Sequence, residues 1–157
     1  MQWEAQLLDG GWLPPLSQEL ASVPDLHQAT RDALLVTPHA TEEEYRQLVG
    51  LEVYTDGSGV IPPSWAAVVL GWLPNGDQRV VGYQGGLVIT DPAAPLWAGA
   101  QHPDSLAAEL SGVLFGLFYA LAVVRDSSRT RPIGEVRFRY DNLCAGGHHV
   151  PYVDVST

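Results

Sequence analysis

The sequence contains no lysine, so all eight of its basic residues are arginine, and they stand against eighteen acids for a formal net charge of −10. That balance argues against strong nonspecific binding to nucleic acid, which draws on several cationic phosphate contacts. Cysteine is nearly missing as well. Cys144 stands alone, which excludes an internal disulfide framework and a four-cysteine zinc site and fits a reducing compartment. The opening MQWEAQLLDGGW lacks a basic segment followed by an apolar one. No signal peptide is expected, and the expected location is intracellular, cytoplasmic or nuclear. Internal repeats and low-complexity tracts are also lacking.

What is present describes a globular chain. Its 157 residues suffice for one sizeable core, 46% of them are hydrophobic, and 16 Gly with 12 Pro announce many turns. The Gly- and Pro-interrupted start permits only short elements. PDLHQATRDALL, residues 24–35, has apolar positions 26, 29, 33 and 34 on one helical face. TEEEYRQLVG predicts a helix over 41–49, with a capping box from Thr41 and Glu44 and a stop at Gly50. The period then becomes that of strands at 51–55, 65–73 and 78–89, and Asn75-Gly76 between the last two favours a tight hairpin turn. Residues 91–104 read as a loop. The alternation in GEVRFRY, residues 134–140, predicts a strand with Arg137 and Arg139 on a wet face.

Between loop and last strand lies an apolar run, residues 105–124, long enough at ~1.5 Å per residue to cross a hydrocarbon core of roughly 30 Å. Gly112 and Gly116 have the spacing of a membrane helix-pairing motif, and arginines follow. Against a membrane span stands Glu109 inside it. The predicted sheet also needs apolar cover, and this helix is the only good source. The reading adopted is a buried core helix with no stable membrane association. Five of the eight arginines fall between Arg125 and Arg139. They suit a solvated loop and strand face or, alternatively, a weak phosphate-facing patch.

Three acids sit at telling places. Asp56 ends the first strand, Glu109 lies in the first two turns of the long helix, and Asp141 follows the last strand. Singly they read as a turn residue, a helix-start acid and a helix cap. Were they to converge, their mutual repulsion would call for hard divalent cations between them.

YTDGSG at 54–59, AAELSGVLFGLFYAL at 107–121 and FRYDN at 138–142 together resemble the ribonuclease H family, of the type found in reverse-transcribing elements. The resemblance covers about residues 50–147. It implies an α/β domain at 50–157 with a ribonuclease H-like mixed sheet of order 3-2-1-4, strand four parallel to strand one, a long central helix, and a helical lead-in or linker at 1–49. By resemblance, Asp56, Glu109 and Asp141 hold two Mg²⁺ or Mn²⁺ ions and catalyse cleavage of the RNA strand of an RNA-DNA hybrid. Gly57, Ser58 and Asn142 match substrate-side positions, Gly57 and Ser58 as a turn.

The chain also departs from that pattern. Only sixteen residues follow Asp141, so a fifth strand and a closing helix with a fourth carboxylate are expected to be absent. Asp154 comes too soon to be that carboxylate, and His148 and His149 read as structural or surface residues. The expectation is an incomplete domain, impaired or reduced to a non-catalytic interaction module, able to self-associate through the open edge of its fourth strand.

Overall fold

The computed structural model describes residue 32 and residues 34–59, 62–94, 97, 99–140 and 153–156. Of the helix expected at 24–35, Asp32 and residues 34–36 are helical, and the rest lies outside the described residues. Helix α1 (Glu42–Gln47) begins on the expected capping box: the Thr41 side chain accepts from the Glu44 amide, and Glu44 accepts from the Thr41 amide, both at 3.1 Å. Gly50 does not stop this helix. The helix ends at Gln47, and Gly50 already opens strand β1 (Gly50–Ser58).

Strand β2 (Ser64–Trp72) runs antiparallel to β1, and β3 (Gln78–Leu87) antiparallel to β2. Their hairpin is closed by Leu73 donating to the Asp77 carbonyl at 2.9 Å, with three residues, Pro74 to Gly76, in the loop. Gly76 takes φ +92°, which a side chain would resist. Helix α2 (Ser105–Arg125) follows, and Asp104 caps it by accepting from the Ala107 amide at 2.8 Å. Strand β4 (Glu135–Tyr140) returns parallel to β1, as expected.

The order is β3-β2-β1-β4-β5. Thus the 3-2-1-4 arrangement holds, but the expected absence of a fifth strand does not. Val153–Ser156 forms β5, antiparallel to β4 and in register with it from Glu135 to Phe138. Four residues suffice to pair a strand edge, so the open edge expected on β4 is covered along that length. The sheet edges are β3 and β5, and Pro38 and Ala40 bond to Val80 on the β3 edge.

Strand alternation divides the apolar residues between two faces. Leu51, Val53, Val69, Val136 and Phe138 pack with Tyr119, Ala120 and Val123 of α2, while Ala66, Val68, Val80 and Tyr83 pack with Leu34 on the opposite face. Helix α2 is therefore core cover rather than an isolated span, although its length and apolarity alone would suit a membrane. Its outer side stays apolar: Leu106, Leu110 and Leu117 are exposed. Beneath its C-terminal end, Tyr45 donates to Asp126 at 2.6 Å, and Arg129 donates to the carbonyls of Tyr45 and Leu48. This latch joins α1 to the α2–β4 loop.

Candidate functional site

Asp56 and Glu109 are brought together through their backbones. A Cβ placed on Gly57 would lie 2.5 Å from the Glu109 nitrogen and 2.7 Å from its Cα, so β1 touches α2 where no side chain intervenes. One turn further along α2, a Cβ on Gly112 would lie 3.1 Å from the Asp56 carbonyl oxygen and 3.4 Å from that of Ala66. Each glycine inside a helix costs about 1 kcal/mol relative to alanine. Here that cost is offset by a helix-to-strand approach that a larger residue would block.

Gly57 and Ser58 are therefore not a turn. Both belong to β1, paired with Trp65 and Ser64, and the chain keeps strand geometry past Asp56 because the β2 ladder continues. Along β1, Thr55 and Gly57 face α2, and alternation sends the Asp56 Cβ to the other side. The Asp56 carboxylate accepts from the Gly57 amide at 3.0 Å. Asp56 and Glu109 are both half-buried, each reached by solvent.

The third acid is approached in register only. β1 and β4 pair from Gly50↔Glu135 to Thr55↔Tyr140, one residue short of Asp56 on one strand and of Asp141 on the other. Asp141, Asn142, His148 and His149 lie outside the described residues. Among the described residues no three His, Cys, Asp or Glu side chains gather as a metal centre. Asp154 stands in β5 opposite Arg137.

The donor set at the crossing nevertheless suits a hard cation. Asp56 and Glu109 each carry a carboxylate reached by solvent, which is the ligand type Mg²⁺ and Mn²⁺ take. Elsewhere on α2, an open groove of about 370 Å³ is lined mainly by Leu106, Leu110, Leu114 and Phe115, with Gln101 and His102 among its polar members, and neither Asp56 nor Glu109 lines it.

The two arginines of β4 are engaged by glutamates of the protein. Arg139 pairs with Glu52, which is 2% exposed, and lies over the Tyr54 ring at 5.7 Å. Arg137 pairs with Glu135 and lies over Trp72 at 5.1 Å. Burial, with the hydrogen bond to Glu52, pushes the Tyr54 hydroxyl up to about 12, so it remains a donor to Glu52 at 2.9 Å across the neutral range. The wet face expected for β4 is present, with both of its arginines paired to glutamates. Sequence reading missed Glu52, yet its alternation with Tyr54 and Asp56 placed it on the face that Arg139 shares. No protein-family model, curated protein or solved structure matches the chain.

Proposed function

We propose that this chain is a ribonuclease H-type hydrolase, Mg²⁺- or Mn²⁺-dependent, acting on the RNA strand of RNA-DNA hybrids, or the remnant of that activity from a retroelement polyprotein. The observation that carries the reading is the meeting of three elements. β1 and β4 run parallel and adjacent to within one residue of Asp56 and Asp141, and the backbone beside Asp56 rests on that of Glu109. A divalent pair, when bound by such carboxylates, would activate water and steady the leaving oxygen of a phosphodiester. Asp56 and Glu109 are the residues that would hold it from the described part of the site, with Asp141 as their third partner. The close backbone approach of Gly57 to Glu109 supports a shared centre for the first two.

A second reading, a non-catalytic interaction module that keeps the fold, is favoured by the charge distribution. A hybrid-gripping surface needs unopposed cations, and Arg137 and Arg139 are both paired with glutamates. The two readings separate in one experiment. The purified chain is incubated with a labelled RNA-DNA hybrid and Mg²⁺, beside Asp56→Asn. Slow cleavage that needs metal and disappears in the variant supports the hydrolase. Hybrid binding without cleavage supports the module, and neither binding nor cleavage removes the nucleic-acid reading. Paramagnetic broadening by Mn²⁺ is expected around Gly57 and Glu109. Equal broadening in an Asp56→Asn, Asp141→Asn double variant would leave these acids without a metal-holding role.

A further inference from the structure

We infer that Gly112 is the positioning residue of this site, setting the distance between Asp56 and Glu109; the inference rests on the metal-centre reading just given. Gly112 is three residues beyond Glu109, so it lies on the same side of α2, and it is the point where the helix bears on the Asp56 residue itself. A methyl group there would meet backbone oxygens, Asp56 at 3.1 Å and Ala66 at 3.4 Å. Both oxygens belong to inner strands of the sheet: Asp56 is laddered to Ala66, and Ala66 in turn to Gly85 of β3, so the two oxygens are held by one continuous ladder. Helix α2 must instead lift, and Glu109 goes with it.

Gly116 is one turn along and supplies the contrast. A methyl group there would meet Thr55 Cγ2 and Val53 Cγ1, both at 3.0 Å. These are side-chain methyls, so the few tenths of an ångström they must give fall on the Thr55 and Val53 side chains and not on a strand carbonyl. The two glycines thus share a face and a crowding distance, but only Gly112 transmits added bulk to the site. Gly57 makes a neighbouring contact one turn earlier, where its missing side chain keeps the strand clear of the Ala108–Glu109 backbone.

The test compares Gly112→Ala with Gly116→Ala in the full chain by two readouts. The first is the nuclear Overhauser contact between the Gly57 and Glu109 α-protons, which reports spacing and requires no metal. The second is Mn²⁺ affinity from paramagnetic broadening. Gly112→Ala is expected to lose the proton contact and at least tenfold in Mn²⁺ affinity while remaining folded, whereas Gly116→Ala keeps both. Retention of the contact and affinity in Gly112→Ala, or equal losses in Gly116→Ala, would overturn the inference. If Gly112→Ala is unstable, both measurements are made in a stabilising osmolyte. A variant that fails to fold even there also counts against a positioning role. A wild-type chain that shows the proton contact but binds no Mn²⁺ would sink the metal-centre reading instead, leaving the spacing decided by the first readout.

Discussion

Asp126 is pulled in two directions. Partial burial pushes its carboxyl up, but hydrogen bonds from the Tyr45 hydroxyl and from Ser128, with the Arg129 charge nearby, outweigh this and hold it below the usual carboxylate range. A depressed folded-state pKa adds stability above the unfolded-state value, and that stability drains away as pH falls through the folded one. Tyr45→Phe is therefore expected to cost about 1 kcal/mol near neutrality, read from urea melts, because it removes a hydrogen bond to a charged but largely exposed acceptor. The gap between variant and wild type should close as the pH is lowered through the Asp126 transition. A gap that persists in strong acid would place the loss in packing of the Tyr45 ring.

Helix α2 has an inner and an outer side that react differently to charge. Phe115 stacks on the buried Trp65 ring at 4.6 Å and 15°, while Leu117 is 45% exposed. Phe115→Asp should destabilise the domain by about 3–5 kcal/mol, since it empties a packed position and places a charge beside it. Leu117→Asp should cost less than about 1 kcal/mol, mainly in helix propensity. Chemical denaturation of the two variants tests the orientation of the helix. Equal costs would mean that α2 is rotated from its described face. Sequence alone revealed this element's length and apolar character but not its sidedness, because a run with almost no polar residue has no period to read. The amphipathic strands were legible for the opposite reason: Val136 and Phe138 alternate with Arg137 and Arg139, and the structure keeps that division.

For the molecule as a whole, legibility followed the range of the interactions. The capping box of α1, the hairpin between β2 and β3 and the existence of β4 each left a local mark, in Thr41 and Glu44, in Asn75 and Gly76, and in the strand period, whereas the parallel place of β4 beside β1 was implied by the resemblance alone. β5 left no such mark, since its four residues acquire strand geometry by pairing with β4. The Glu52–Arg139 pair was hidden likewise, as its members are distant in sequence. That pair shapes what the chain does as a polyelectrolyte. If the chain holds RNA-DNA hybrids as proposed, then with Arg137 and Arg139 already paired its hybrid affinity should fall only shallowly as salt is raised, with a logarithmic slope corresponding to about one or two phosphate contacts. A steep slope, measured by fluorescence anisotropy over a salt series, would show that Arg125 and Arg131 or residues outside the described part make a basic surface.

The parallel return of β4 to β1 has one more consequence. The exposed loop at residues 91–94 separates a portion carrying β1, β2 and β3 from one carrying α2 and β4, yet β1 bonds to β4 and packs under α2. A single cut in that loop breaks the chain without breaking the sheet. Two separately expressed pieces divided there are expected to find each other and restore the whole, as mixing experiments followed by size-exclusion chromatography would show. The protein is then divisible into complementary halves, neither of which owns the candidate site: one brings Asp56, the other Glu109, and assembly itself becomes the switch.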